Sequence, residues 1–325
     1  MGKYVLNFED VLSAKKRIKG YAHKTPVLTS SRINEIVGKS LFFKCENLQR
    51  VGAFKFRGAW NAISQIPKGL LNNGVCTHSS GNHAQAIALA AKEKGVPAYI
   101  VMPKNSPRVK LNAVKGYGAE IILCEPNLKA RETNARRVIE QTGAHFIHPY
   151  NNKNVIAGQG TCSLELIEEV GHLDAIISPI GGGGMMAGTC ITTKKLLPNC
   201  MIIGAEPSGA DDAAKSFESG KLIPQLDPNT ICDGLLTSLG EMTWPILKDC
   251  LDSIYTVSDE EVCAAMKLIW ESMKIIVEPS SATALAVIMS EKFQSDCSKG
   301  VESIGVILTG GNVDLNKLPF SKNTM

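Results

Sequence analysis

No stretch of the sequence reaches the roughly 18 consecutive apolar residues of a membrane-spanning helix. The opening residues, Met1-Gly2-Lys3-Tyr4-Val5-Leu6, lack the apolar core of a secretion signal. Leu6 also stands where a myristoylation motif has Ser or Thr. There is no dense Lys/Arg stripe of the kind nucleic-acid binding needs; the basic residues are scattered and the net charge is +4. The ten cysteines, at 45, 76, 124, 162, 190, 200, 232, 250, 263 and 297, include no C-x-x-C pair. Zinc spacing is therefore absent, and a disulfide framework does not suit a chain of this length. Internal repeats and low-complexity segments are missing too. These absences predict a cytoplasmic protein with reduced, buried thiols, without a membrane or nucleic-acid partner.

What is present is material for a large core. The chain has 325 residues, of which 44% are hydrophobic, enough for two domains or one large one. Strand and helix signals alternate. Residues 74–78, 96–102, 120–124 and 144–148 read as strands, and 84–94, 107–115 and 128–141 as the helices between them. A second series follows: a helix at 155–170, a strand at 173–180, four glycines, a helix at 185–196 and a strand at 201–205. Residues 206–240 are rich in Pro, Gly, Asp and Asn and predict an irregular excursion. Helices are expected at 259–274 and 281–293 and a last strand at 304–309. The first 70 residues supply helices at 8–18 and 31–37 and a strand at 41–45, too little for a sheet of their own. The pattern predicts an α/β chain with parallel sheets covered by helices on both faces. Residues 71–150 would form a small domain, and 1–70 with 151–325 a large one.

Within Gly52-Ala53-Phe54-Lys55-Phe56-Arg57-Gly58-Ala59-Trp60, one lysine lies between two phenylalanines and beside an arginine. Burial, aromatic neighbours and a nearby cation are expected to favour its neutral amine, which can attack a carbonyl. A surface lysine on an amphipathic helix is the plain alternative. Gly181-Gly182-Gly183-Gly184 stands between an apolar strand and a helix, where bare backbone N–H groups and a helix N-terminus suit phosphate. The same place supports a rival: Gly182-x-Gly184-x-x-Ala187, followed by Glu206 after the next strand, fits a dinucleotide fingerprint and an NAD-dependent oxidoreductase. That reading leaves Lys55 without a task.

Ser79-Ser80-Gly81-Asn82-His83 ends one strand and begins a helix; it can cap that helix or hold a carboxylate. Thr309-Gly310-Gly311-Asn312 follows another apolar strand. Glu206 and Asp212 place carboxylates six apart in a turn, as oxygen ligands for magnesium or calcium or simply as a solvated acidic loop. His23, His145 and His172 read as structural.

These segments together resemble the fold-type II pyridoxal-phosphate enzymes, most closely the serine racemase and serine/threonine dehydratase family. The resemblance covers nearly the whole chain. It rests on residues 25–31, 52–58, 79–84, 157–161, 181–185, 205–207, 210–212, 233–234 and 310–314. It implies that Lys55 carries the cofactor as a Schiff base and acts as a base on one face. Ser80 would be the acid/base on the other. Phe54 would flank the ring, Asn82 would bond its phenolic oxygen, Gly181, Gly182, Gly183, Gly184 and Met185 its phosphate, and Thr309 its pyridine nitrogen. Ser79, Ser80, His83, Arg131 and Thr237 would surround the substrate carboxylate. Glu206, Ala210 (through its carbonyl) and Asp212 would bind Mg2+, Ca2+ or Mn2+. Ser30, Ser31, Gln85, Tyr117 and Asn312 match parts of the ATP effector site of animal racemases, and a homodimer is expected.

The implied chemistry is proton removal from serine, then return from the opposite face to give D-serine, or loss of the β-hydroxyl to give pyruvate and ammonia. Tyr150 stands where the animal racemases carry Asn, and Arg50-Val51 where they carry Lys-Thr. The run from Gln49 to Lys55 also resembles enzymes that dehydrate 3-hydroxyaspartate, so that compound and L-threonine stand as alternative substrates.

Overall fold

The computed structural model describes residues 3–79, 81–106, 108–296 and 300–320. Ten strands are seen among them: β1 (Val27–Leu28), β2 (Ser40–Cys45), β3 (Val75–His78), β4 (Ala98–Pro103), β5 (Glu120–Cys124), β6 (His145–Phe146), β7 (Ala175–Pro179), β8 (Met201–Pro207), β9 (Ser253–Val257) and β10 (Ser303–Leu308). The helices are α1 (Phe8–Ile18), α2 (Ser31–Val37), α3 (Lys55–Ile63), α4 (Lys68–Leu71), α5 (Asn82–Lys94), α6 (Arg108–Gly116), α7 (Leu128–Thr142), α8 (Lys153–Val170), α9 (Gly184–Leu196), α10 (Asp212–Ser219), α11 (Trp244–Cys250), α12 (Asp259–Met273), α13 (Pro279–Met289) and α14 (Glu291–Asp296).

The strands form two sheets, in the orders β1-β2-β10-β7-β8-β9 and β5-β4-β3-β6. Every pairing is parallel except that of β1 with β2. Parallel neighbours need crossover helices, and the chain supplies them. β7 and β10 are buried along nearly their whole length, as expected for strands covered on both faces.

The N-terminal strands do not stand alone. β2 pairs along its full length with β10, from Ser40 opposite Ser303 to Cys45 opposite Leu308. The excursion at 206–240 is less irregular than its composition suggests: it contains α10, whose apolar Ala213 packs inward. α11 and β9 carry weak sequence signals and were not anticipated. The helix expected over 281–293 is two, α13 and α14, with Ser290 extended between them.

α8 is the spine against which the site is built. It packs on α1, α3 and α9, and its residues from Val155 to Ile167 are buried. Small residues set these distances. A Cβ on Gly158 would lie 2.6 Å from the Gly58 Cα in α3, and one on Gly188 of α9 2.5 Å from the Gly160 nitrogen. Glycine thus lets the backbones of α3 and α9 close onto α8.

Candidate active site

Lys55 is the first residue of α3. Just before it, Val51 and Gly52 take left-handed φ values of 56° and 66°. The turn is fastened to the end of β10: Phe54 N donates to Thr309 O at 3.0 Å, and Gly311 N donates to Gly52 O at 2.9 Å. Lys55 Nζ donates to Pro149 O at 3.0 Å and lies 4.8 Å from the centre of the Phe54 ring. Burial pulls its amine down from 10.5 to about 8, while the Glu278 charge pulls the other way.

The expected helping cation is not involved. The Arg57 guanidinium is itself buried, with Nε and Nη2 on Glu46 at 2.7 and 2.8 Å and Nη1 and Nη2 on Glu165 at 2.8 and 2.7 Å. Lys44 joins at 2.8 Å to Glu165. With its charge spent on two carboxylates, Arg57 fixes α3 rather than depressing the lysine. A ring face near the ammonium stabilises the charged form, so Phe54 is not what favours the neutral amine either.

Asn82 begins α5. Its Nδ2 donates to Glu278 Oε1 at 2.7 Å and its Oδ1 accepts from Asn312 Nδ2 at 2.9 Å. These two bonds fix the amide's orientation and leave one N–H for a ligand. Glu278 is 2% exposed, its Oε2 is buried without a partner, and burial raises it to about 7. Ser79 Oγ accepts from Gly81 N at 3.3 Å; Ser80 lies outside the described residues. His83 is buried. Its Nε2 donates to the Ile147 carbonyl at 3.3 Å, which leaves Nδ1 as a bare acceptor without a partner. Burial and the Lys55 charge hold it neutral.

His148 is also neutral: burial, then the His78 and Lys55 charges, bring it to about 4. As an acceptor, its Nδ1 takes the N–H groups of Tyr150 and Asn151 at 3.3 and 2.9 Å. It thereby shapes the turn whose Pro149 carbonyl receives Lys55. In sequence His148 has no signal beyond its place next to Pro149 and Tyr150.

The glycine loop joins β7 to α9. Gly183 has φ 82°, and α9 presents its N-terminus there. A Cβ on Gly182 would meet the Tyr150 ring at 2.2 Å, so glycine is required at 182 by Tyr150 as well as by any ligand. Burial raises the Tyr150 hydroxyl, and the neighbouring Thr237 side chain acts against that rise. Arg131 Nε is buried without a partner, and its charge is felt by both Tyr150 and His78. A guanidinium with a buried, unpartnered Nε suits a carboxylate.

Beyond the loop, Glu206 on β8 and Asp212 on α10 are both buried. Glu206 accepts from Ala213 N and Ala214 N at 3.1 and 2.7 Å, and Asp212 Oδ2 from Leu239 N at 2.9 Å. Asp212 Oδ1 is buried and unpartnered. Burial and then the Asp212 charge push Glu206 well up. Two buried acids side by side suit a divalent cation. Among the described residues no group of three His, Cys, Asp or Glu is placed to hold a metal, so carbonyls such as that of Ala210 would have to complete such a site. Glu206 sits deep beside α10 with its oxygens engaged, an arrangement unsuited to a ribose hydroxyl.

Of the effector candidates, Asn312 joins the Asn82 network, with Nδ2 also on Val51 O at 2.7 Å. Ser30 caps α2, Ser31 opens that helix, Gln85 is buried on α5 and Tyr117 follows α6. Among the described residues no hydrogen bond links these four to one another.

Near Lys55, Thr309 is 5% exposed at the end of β10. The residues present fit pyridoxal phosphate: a lysine with a lowered amine for the aldehyde, a glycine-rich helix N-terminus for phosphate, a free Asn82 N–H for the phenolic oxygen and the Thr309 hydroxyl for the ring nitrogen.

The family model described as "Pyridoxal-phosphate dependent enzyme" matches residues 18–310. A serine racemase of Dictyostelium discoideum is 52% identical over 96% of this chain and 97% of its own. A β-hydroxyaspartate dehydratase of Paracoccus denitrificans is 48% identical over 98% of this chain and 100% of its own. The structure of maize serine racemase superposes with a TM-score of 0.95 at 48% identity, covering 96% of this chain and 95% of that one. The family match runs from the last residue of α1 to just past β10 and includes Lys55, Asn82, the glycine loop and Thr309. The chain belongs to the pyridoxal-phosphate-dependent enzyme family.

Proposed function

We propose that the chain interconverts L- and D-serine and also dehydrates serine to pyruvate and ammonia. The observation that carries this is Lys55, with its amine lowered to about 8 and its charge felt by His83 and by Glu278, the hydrogen-bond partner of Asn82. Pyridoxal phosphate, when bound, withdraws electrons from the substrate α-carbon and so acidifies its proton. Lys55 Nζ, whose proton is held far less tightly than an ordinary lysine's, takes or returns that proton on one side. Ser80 is the proposed proton carrier on the other. Arg131 and the Ser79 hydroxyl orient the substrate carboxylate, with Thr237 positioned through Tyr150. His83 has no donor to spare in this arrangement, so we assign it to shaping the turn. The Tyr150 ring over the glycine loop excludes water from that side.

The remaining parts of the proposal rest on resemblance and on local chemistry. Glu206, Ala210 and Asp212 hold Mg2+ or a similar ion, which offsets two buried negative charges. ATP acts as an effector through Asn312. The protein is a cytoplasmic homodimer, divided into a small domain (71–150) and a large one (1–70 and 151–325). A second reading, dehydration of 3-hydroxyaspartate, is favoured by Arg131, which would meet the second carboxylate if the turn beginning at Ser79 held the first.

The test is product analysis with L-serine, D-serine, L-threonine and 3-hydroxyaspartate. The proposal expects D-serine and pyruvate together from L-serine. Turnover of 3-hydroxyaspartate alone would replace it with the second reading.

A further inference from the structure

The turn that delivers Lys55 is strained at one residue. Val51 has φ 56° and ψ 15°. Glycine and asparagine enter that left-handed region at little cost, and a β-branched residue does not. Among the described residues only Asp227 and Lys274 join it there without being glycine, and neither is branched at Cβ. Strain of this kind persists only where the surroundings over-determine it.

The surroundings are α5 and the end of β10. The segment Arg50–Gly52 packs on α5. In the last turn of that helix, Glu93 takes both terminal nitrogens of Arg50, Nη1 on Oε2 at 2.8 Å and Nη2 on Oε1. The two side chains are 22% and 29% exposed, and a bidentate, partly shielded pair holds far better than a solvated one. Arg50 Nη1 also donates to Tyr21 O at 3.2 Å, and the guanidinium lies 4.7 Å from the centre of the Phe56 ring.

The Val51 side chain packs against the buried cluster to which α5 contributes Ala84, Ile87, Ala88 and Ala91. At the start of α5, Asn82 Oδ1 accepts from Asn312 Nδ2 at 2.9 Å, and the same nitrogen donates to Val51 O at 2.7 Å. The turn is therefore held from both ends of α5, with the strained residue between the two holds. Three residues after Gly52, α3 begins with Lys55.

We propose that Arg50 and Glu93 are positioning residues: their ion pair keeps Val51 left-handed, and that conformation sets where α3 starts and so where Lys55 Nζ lies. Without the pair, Val51 relaxes toward the right-handed region, the following peptide turns, and Lys55 leaves its place. Glycine at 51 has no such drive, because it occupies the left-handed region freely. The inference rests on the proposed role of Lys55. It goes beyond that role in naming what holds the lysine in position, from a helix whose first residue, Asn82, belongs to the same site.

The experiment is a double-mutant cycle on the cofactor-loaded protein, with Arg50→Gln, Val51→Gly and their combination. It is read by steady-state kinetics with L-serine and by visible circular dichroism, which reports how the cofactor is seated. Arg50→Gln should lower kcat about tenfold with KM changed less than about twofold, the mark of a misplaced reacting group. It should also weaken the visible dichroism. In the Val51→Gly background the same substitution should cost less than about threefold, because the two positions are coupled, and should leave the dichroism intact. If Arg50→Gln does not fold, Glu93→Gln removes the pair from the α5 side. If Val51→Gly does not fold, Val51→Asn keeps a side chain and tolerates the left-handed region; the same pattern is expected. An equal loss in both backgrounds overturns the proposal, since the pair would then act without the strain at Val51. No loss, or a loss confined to KM, overturns it as well. Wild-type turnover of 3-hydroxyaspartate but not of L-serine contradicts the proposed function instead, and the cycle is then read with that substrate.

Discussion

Replacing Lys55 with methionine should make the cofactor-free protein more stable at neutral pH while ending catalysis. Methionine keeps the length and most of the volume of the side chain, so packing changes little. The gain comes from charge. The Lys55 amine falls from 10.5 to about 8 through burial. At about 1.4 kcal/mol per tenfold change, holding it protonated costs the fold about 3 kcal/mol, an upper bound because the side chain is partly exposed. The sign follows from proton counting. Between about 8 and 10.5 the unfolded chain binds the proton and the folded chain does not, so wild-type stability rises with pH across that window. Below it the full cost is present. The variant should therefore exceed the wild type by up to about 3 kcal/mol at pH 7 and by little at pH 10.5. Urea unfolding of the two proteins, both stripped of cofactor, measures this at each pH. A variant less stable at pH 7, or a gain equal at both pH values, would refute the reasoning that burial sets the lysine's state.

Three further outcomes are expected. Arg57→Ala leaves Glu46 and Glu165 buried without their bidentate partner and should cost about 3–5 kcal/mol in urea unfolding; a loss under about 1 kcal/mol would show that the network relaxes. Asp212→Ala should weaken activation by magnesium and the loss of activity on adding chelator; an identical magnesium titration would remove Asp212 from the cation site. Ser80→Ala should suppress D-serine formation more than pyruvate formation, read from both products in one assay; equal residual fractions would dismiss Ser80 as the second proton carrier.

Much of the architecture was legible because the chain punctuates its elements clearly. α1 and α2 begin and end where their caps predict, and Gly95 and Gly143 close α5 and α7 in left-handed conformations. α11 was missed although Pro245 sits at its start, a known signal, because its seven residues show little periodicity. The lysine and the glycine loop were visible as local patterns. The reason the amine is lowered was not, since it depends on burial in the assembled fold, against which Glu278, more than two hundred residues away in sequence, acts. Arg57 illustrates the same point: its neighbours in sequence suggest help for Lys55, while its partners in space, Glu46 and Glu165, make it a clamp. The packing of Tyr150 over Gly182 likewise exists only once the fold is assembled.

The central claim is that Lys55 carries pyridoxal phosphate. Borohydride reduction of the purified, cofactor-loaded protein, followed by peptide mass analysis, tests it directly. The account predicts a phosphopyridoxyl mass on the peptide containing Lys55 and none on the buried lysines Lys44 and Lys110. Label on another lysine, or on none, would contradict it.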